Sequence, residues 1–511
     1  MKLDFGTAGI RGIVGSEEHH LNEIHVARVI DGYARYLLNT FSNIKERGIV
    51  IGRDNRIKGK EFTLIAAQIL TSYGIKIYFN FNMLATPFIS YLTRTKKAIG
   101  AINITASHNP KEYNGIKIYD QNGCQLLPDE VNKMKIFFKD YNDYLLYNQL
   151  NYQEIEKELL NNNLVENIKE QDFNHYVESI KKINFNNQDL SKIKIVYSPL
   201  HGTGYPLVKK IFNNISSNVI YEKNEIIEDS NFTYVENPNP EYKIAFKNTI
   251  DLANKENADL ILVTDPDSDR VGVAIRNNEK FELLNGNEIA ILITDYLLEN
   301  KKIDKSKKYY LIYSFVSTSL PAKMCQEKRI KSYICETGFK WIGNKINELN
   351  GQENFFFAFE ESYGSLINEE LSHDKDAIQS LFALAIIAAK AKENNNSLLE
   401  KLELIYQKYG HMEAKSFSFN LKNEKHLEDI KNKFKNLNFQ NADLLDYNKT
   451  INGIKSDMLV YQFKDNLSWI SLRPSGTEPK VKIYIHLIEK DKLIAKNKFN
   501  NLLKEIEKIM I

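Results

Sequence analysis

The strongest limit on the fold is one pattern that the chain uses three times. A short apolar strand leads into a polar or glycine-containing loop, then an amphipathic helix, then a second strand. The first copy runs from Ile49-Val50-Ile51-Gly52 through a helix over Phe62–Tyr73 to Ile75–Tyr78. The second runs from Ile193–Tyr197 through Leu207–Phe212 to Val219–Tyr221, and the third from Tyr309–Tyr313 through Leu320–Gln326 to Ser332–Ile334. Strands alternating with helices at this spacing build open α/β sheets. With 511 residues there is room for three or four domains. After Gly410 the pattern changes: Lys425–Asn436 predicts a polar helix, Met458–Phe463 and Lys480–Ile485 predict strands, and Lys490–Ile511 an amphipathic helix. The expected fold class is therefore α/β, with three similar mixed-sheet domains and a smaller C-terminal α+β domain. Polar joints at Asn148–Gln188 and Lys301–Lys308 divide the chain into 1–188, 189–302, 303–410 and 411–511.

Charge narrows the partners. The 68 basic and 66 acidic residues leave a net charge of +2, so no global field favours nucleic acid or an acidic membrane, and neither is expected as a partner. Any anion site must be local. The longest apolar run, Leu381–Ala389, is about half a membrane span and reads as a buried helix. Met1–Phe5 lacks the charged start and apolar core of a signal peptide. Cys124, Cys325 and Cys335 are few, odd in number and without metal-type spacing, which fits a reducing cytoplasm.

Four polar motifs interrupt the apolar pattern, about one in each expected domain. Thr105-Ala106-Ser107-His108-Asn109-Pro110 follows the strand-like Ile99–Ile104. Ser107 is accessible among small residues, and His108 offers it a hydrogen-bonding partner. Alone, the motif is equally an Asn-Pro turn with a structural serine, and the G-x-S-x-G elbow of a hydrolase is absent. Asp265-Pro266-Asp267-Ser268-Asp269-Arg270 follows the buried-looking strand Leu260–Val263. Three carboxylates in five residues repel one another unless a cation lies among them, and hard oxygen ligands at this density suit Mg²⁺ or Ca²⁺. A calcium loop of the EF-hand type fails, because its Gly and Glu positions hold Arg270 and Arg276. Mg²⁺ is preferred, with Arg270 placed to pair with a phosphate; a solvated acidic turn is the bland alternative.

The third motif, Glu360-Glu361-Ser362-Tyr363-Gly364, ends the strand Phe355–Phe359 and could read vicinal sugar hydroxyls or lie in a surface loop. Lys375 follows nearby. The fourth, Arg473-Pro474-Ser475-Gly476-Thr477-Glu478-Pro479-Lys480, has the guanidinium, hydroxyls and glycine of a phosphate cradle, though a Pro/Gly turn would share them. It lacks the G-K-[ST] step of a nucleotide-binding loop. A hydroxyl able to carry phosphoryl, a metal, a sugar reader and a phosphate cradle together point to phosphoryl exchange on a sugar phosphate. No nucleotide-binding signature is in view, so the donor is expected to be the protein itself.

With these motifs in this order, the sequence resembles the alpha-D-phosphohexomutase superfamily, in its bacterial phosphoglucomutase/phosphomannomutase branch. Phe5–Gly12, Tyr113–Lys117, His201-Gly202-Thr203-Gly204, Asn237–Pro240 and Glu336-Thr337-Gly338-Phe339-Lys340 add to the likeness. The resemblance implies four domains around a central cleft. It implies that Ser107 is a phosphoserine and that Asp265, Asp267 and Asp269 hold one Mg²⁺ against its phosphate. Arg11 and Lys117 flank it, with Lys117 a candidate general acid/base and His108 and Lys375 assisting. Thr337, Gly338, Lys340, Glu360 and Ser362 are implied to contact the sugar, and Arg473, Ser475, Gly476 and Thr477 its phosphate.

The implied reaction interconverts hexose 1- and 6-phosphates through a bisphosphorylated sugar, with glucose 1,6-bisphosphate as activator. Glucose is the first expected substrate, mannose the second and a pentose 1-phosphate an alternative. A non-catalytic sugar-phosphate binder and a phosphatase are the other classes weighed. Two departures from the family pattern, Phe359 and His373, are expected near the substrate and so to bear on sugar choice.

Overall fold

The computed structural model describes residues 9–213, 215, 217–451, 453–474 and 480–510. The first sheet contains β1 (Ile10–Ile13), β2 (Ile49–Arg53), β3 (Ile77–Phe79), β4 (Gly100–Ile104), β5 (Tyr113–Tyr119) and β6 (Val165–Asn167), in the order β1-β5-β4-β2-β3-β6. Strands β4, β2, β3 and β6 run parallel, while β1 and β5 add an antiparallel edge. β2 shows why the run Ile49–Arg53 sits centrally. Successive side chains alternate between faces, so Ile49 and Ile51 enter one core with the helices Glu23–Thr40 and Gly59–Ser72. Val50 enters another with the helix Thr86–Thr95. Burial on both faces calls for an apolar run of this kind.

The second sheet is β7 (Leu190–Ser198), β8 (Ser217–Tyr221), β9 (Leu260–Thr264), β10 (Val271–Asn277) and β11 (Lys280–Leu284), in the order β11-β10-β9-β7-β8. The third is β12 (Tyr309–Ser314), β13 (Lys331–Cys335), β14 (Asn354–Glu360) and β15 (Gly364–Leu366), ordered β13-β12-β14-β15. Both are mixed. The helix Ala377–Glu393 is apolar nearly all round and buried nearly throughout, as a helix packed on every side must be. Its core is continuous with Val50 and Phe88 of the first sheet region and Leu262 and Leu311 of the other two, which fixes the three sheets against each other.

The fourth sheet is antiparallel throughout: β16 (His411–Asn420), β17 (Ala442–Asp446), β18 (Leu459–Phe463), β19 (Trp469–Pro474) and β20 (Lys480–Glu489), ordered β16-β20-β19-β18-β17. The helices Glu424–Lys435 and Lys492–Met510 cover it. The expected α/β class with a smaller α+β C-terminal unit holds. Two features were not anticipated. The polar joint after Asn148 supplies β6 to the first sheet, and β16 and β17 are strands although neither presents a continuous apolar run. No helix among the described residues is long and apolar enough to cross a membrane.

Candidate active site

Three of the four motifs lie at the C-terminal ends of β4, β9 and β14, where loops leave a sheet and ligands gather in folds of this class. The fourth begins at Arg473, near the end of β19, which pairs with Lys482 of β20. Ser475, Gly476 and Thr477 lie outside the described residues. The loops surround a cleft of about 940 Å³ whose lining comes from all four sheet regions, including Arg11, His108, Arg270, Lys340, Ser362, Lys375, Arg473 and Lys482. Cations predominate, as an anionic ligand requires.

Contrary to the accessibility expected from its small neighbours, Ser107 lies beneath the cleft at 1% exposure, because its hydroxyl is turned inward onto the buried Asp265. Its φ of 53° lies in the left-handed region that side chains other than glycine rarely adopt. The backbone N–H of Ser107 donates to Thr105 Oγ1 at 2.8 Å, and its hydroxyl donates to Asp265 Oδ2 at 2.7 Å. His108 Nδ1 lies 3.1 Å from the same hydroxyl. Burial, followed by Arg270 and Arg11, holds the His108 imidazole well below its usual value, so the ring is neutral at pH 7.

Asp265, Asp267 and Asp269 are all buried, with potential ligand oxygens within 4.8 Å of one another. Asp265 Oδ1 accepts the backbone N–H groups of Asp269 and Arg270, both at 3.0 Å, which folds the loop around the carboxylates. Ser268 completes the turn at φ 60°. Gly202 packs against this turn so closely that a Cβ there would meet Pro266 at 2.3 Å. Lys117 Nζ, reaching across from β5, donates to Asp267 Oδ2 at 2.6 Å and Asp269 Oδ2 at 2.8 Å. Lys375 Nζ lies 3.3 Å from Asp269 Oδ2. Burial and the neighbouring Asp267 and Asp269 push the Asp265 carboxyl well up. Burial also opposes charge on Asp269, but Lys117, Lys375 and Arg270 overcome it and hold that carboxyl far down. Lys117 is the mirror case: burial works against its charge, and Asp267 and Asp269 outweigh it, raising its pKa.

The donor set suits a hard divalent cation. Asp267 Oδ1 and Asp269 Oδ1 are buried and have no hydrogen-bond partner, a costly state for carboxylate oxygens unless something positive faces them. Two oxygens of different aspartates without hydrogen bonds beside Asp265, one of them 3.9 Å from Arg270 Nε, are what Mg²⁺ or Ca²⁺ would use.

At the end of β14, Glu360 is 5% exposed and accepts the backbone N–H of Gly338 at 2.7 Å. Burial pushes its carboxyl up to about 7, against the pull of Lys375 and with Glu361 adding to the rise. Glu361 is tied instead to the Ser314 and Ser317 hydroxyls at 3.0 and 3.1 Å. Arg473 donates to Thr337 Oγ1, joining the fourth sheet to the loop after β13. Gly364 leaves room for the Lys375 stem, which a Cβ would meet at 2.0 Å.

Some placements differ from expectation. Arg270 Nη1 is paired with Glu241 at 2.6 Å, although the side chain still lines the cleft. Phe359 and His373 are not among the cleft-lining residues. Phe359 is buried and stacks on Tyr313 at 5.7 Å, and burial lowers the His373 imidazole to about 3. Strand alternation explains Phe359: Glu360 faces the cleft, so its neighbour faces the core. Missed from sequence were Thr86, whose hydroxyl donates to Asp267 Oδ2 at 2.6 Å, and Arg56, which grips the Ser107 loop. The charged run Gly52-Arg53-Asp54-Asn55-Arg56 after a buried strand has the same signature as the aspartate motif and could have found Arg56.

Comparison with known proteins gives the same picture. Residues 2–144, 174–278 and 285–409 match the family descriptions of phosphoglucomutase/phosphomannomutase alpha/beta/alpha domains I, II and III respectively. A phosphomannomutase from Mycoplasmoides pirum is 35% identical over 95% of this chain and 88% of its own length. A phosphoglucomutase from Staphylococcus epidermidis is 33% identical over 95% of this chain and 90% of its own. The open form of parafusin, a phosphoglucomutase from Paramecium, shares the fold with a TM-score of 0.73 at 19% identity, covering 99% of this chain and 94% of that one. The chain thus belongs to the phosphoglucomutase/phosphomannomutase family of the alpha-D-phosphohexomutase superfamily.

Proposed function

We propose that this phosphohexomutase interconverts hexose 1-phosphate and hexose 6-phosphate, glucose first and mannose second, with Ser107 as the phosphoryl carrier. The observation that carries the reading is Ser107 Oγ, 2.7 Å from Asp265 Oδ2 and next in the chain to His108, which lines the cation-rich cleft. Asp265, Asp267 and Asp269 would hold Mg²⁺, with an oxygen of the Ser107 phosphate beside them. Bound there, Mg²⁺ supplies charge neutralisation for the transferring phosphoryl group.

The chain's own residues then divide the work. Lys117, held protonated by two carboxylates, acts as an electrostatic partner and proton donor to Ser107 Oγ as the phosphoryl group leaves. Neutral His108, 3.1 Å from that oxygen, takes the proton when Ser107 is phosphorylated again. Glu360 and Ser362 read adjacent ring hydroxyls, with Thr337, Gly338 and Lys340 alongside. Arg473, with Ser475, Gly476 and Thr477, grips the phosphate that is not being transferred. Arg11 and Lys375 add positive charge at the phosphoserine end. The phosphoryl group passes from Ser107 to the free sugar hydroxyl, whose proton replaces the one Lys117 gave up; in the return transfer the proton that His108 takes from Ser107 passes to the sugar oxygen left behind. The bisphosphate turns over in the cleft, and its other phosphate returns to Ser107, so glucose 1,6-bisphosphate added from solution would load the serine. The four units 1–188, 189–302, 303–410 and 411–511 each bring one motif.

The test incubates the protein with glucose 1-phosphate, Mg²⁺ and a trace of glucose 1,6-bisphosphate while glucose 6-phosphate and free phosphate are followed. A mutase accumulates glucose 6-phosphate without free phosphate. Steady phosphate release marks a phosphatase, and no turnover marks a binder; either outcome refutes the proposal.

A further inference from the structure

Arg56 heads the fully buried large side chains among the described residues, and the mechanism above makes no use of it. We propose that Arg56 is a positioning residue for Ser107, fixing the hydroxyl against Asp265 by clamping the carbonyls of its loop; this rests on the reading of Ser107 as phosphoryl carrier. Its Nη2 donates to the carbonyls of Ser107 and Asn109, both at 2.5 Å. Its Nη1 donates to those of Pro110 and Tyr113, both at 2.8 Å. The four N–H groups of the two terminal nitrogens are thereby matched to four carbonyls of one loop. Carbonyls buried without a partner are costly, and only a planar guanidinium presents so many donors in a fixed fork. The left-handed conformation of Ser107 persists only where its surroundings over-determine it.

The clamp is itself held. Asp54 Oδ2 lies 3.4 Å from Arg56 Nε and accepts the Thr105 hydroxyl at 2.5 Å. The same Thr105 Oγ1 accepts the Ser107 N–H. The Phe232 ring covers the guanidinium, its centroid 5.5 Å from Cζ. Phe232 belongs to the connection between β8 and β9, which is tied to the first sheet by Arg53–Glu228 at 2.6 Å and Asn55 Nδ2–Asp229 O at 2.8 Å. β9 carries Asp265 at its end. The loop with the hydroxyl and the sheet with the aspartates thus share one support, centred on Arg56. Arg56 does not line the cleft, so it acts through Ser107 and not on the sugar.

The test uses Arg56→Lys and Arg56→Ala in the full chain, assayed with glucose 1-phosphate, Mg²⁺ and glucose 1,6-bisphosphate. Lysine keeps the charge beside Asp54 but has three donors for four carbonyls. A hydroxyl displaced by about 1 Å costs on the order of a hundredfold in rate. We expect both variants to lose about that much kcat with KM for glucose 1-phosphate little changed. Added guanidinium ion should restore part of kcat to Arg56→Ala and none to Arg56→Lys, whose ammonium blocks the site. Parental kcat in Arg56→Lys, or a loss confined to KM, overturns the proposal, as does the absence of guanidinium rescue in a folded Arg56→Ala. If Arg56→Ala does not fold, Arg56→Lys decides by the same split between kcat and KM. Ser107→Ala separates the two readings. An active Ser107→Ala overturns the carrier assignment, whereas an active Arg56→Lys beside an inactive Ser107→Ala overturns only the clamp.

Discussion

Replacing Lys117 by Met should destabilise the protein in a way that a divalent cation repairs. The Lys117 ammonium is 1% exposed and sits 2.6 Å from Asp267 and 2.8 Å from Asp269. Methionine keeps most of the stem volume and deletes the charge, leaving buried carboxylates facing one another. Removing one partner of a buried ion pair costs about 3–5 kcal/mol. Lys375, 3.3 Å from Asp269, remains as partial compensation and favours the lower end. A loss of about 3 kcal/mol in a unit of this size lowers Tm by about 6–12 °C. Mg²⁺ binds the folded state only, and should bind the variant more tightly because no ammonium offsets the charge of the same carboxylates. The assay is thermal melting of both proteins in EDTA and then in a Mg²⁺ series. The variant should melt well below the parent in EDTA and gain more from Mg²⁺. Equal melting in EDTA, or a Mg²⁺ gain no larger than the parent's, would refute the role given to Lys117.

The other expectations are simpler. Arg473→Ala removes a grip felt equally in ground and transition states, so KM should rise by about ten- to a hundredfold with kcat largely kept; unchanged KM would show that this stretch is only a turn. Added glucose 1,6-bisphosphate should partly rescue that variant, because the intermediate escapes more often. If Glu360 accepts sugar hydroxyls as proposed, its carboxyl, pushed up to about 7 by burial, should do so best when ionised. The parent's kcat/KM should therefore climb through about pH 7 and Glu360→Gln should lose that limb, which a pH series of initial rates tests. Because the folded carboxyl titrates above its ordinary 4.5, its contribution to stability falls as pH rises from there through about 7, and melting across that range should show it. Excess EDTA should abolish turnover and Mg²⁺ restore it, with Ca²⁺ a poorer substitute because its looser coordination positions phosphate less well.

Which features the sequence disclosed follows from how local they are. The aspartate motif could be read because its three carboxylates are close in the chain and their repulsion is a property of the segment itself. Strands such as Ile49–Arg53 and Leu260–Thr264 were legible because burial on both faces demands uninterrupted apolar residues. The edge strand Ala442–Asp446 was not, since a five-residue segment without strand alternation becomes a strand only through pairing with Leu459–Phe463. Arg56 and Thr86 escaped for a related reason: the contacts that give them a role lie 51 and 181 residues away in the chain. His373 shows the opposite error. Its departure from the family pattern before Asp374-Lys375-Asp376 suggested a place near the substrate, yet its backbone N–H is bound to Ser90 Oγ at 3.0 Å and its side chain is buried and does not line the cleft.

The central claim is that Ser107 carries the phosphoryl group, and peptide mass analysis tests it most directly. After incubation with glucose 1,6-bisphosphate and Mg²⁺, the peptide containing Ser107 should be heavier by about 80 Da, the mass of one phosphoryl group. Adding excess glucose 1-phosphate should then strip that increment as bisphosphate forms, and Ser107→Ala should show neither the increment nor turnover. An increment on a different peptide, or a Ser107→Ala variant that still turns over at a substantial fraction of the parental rate, would contradict the account.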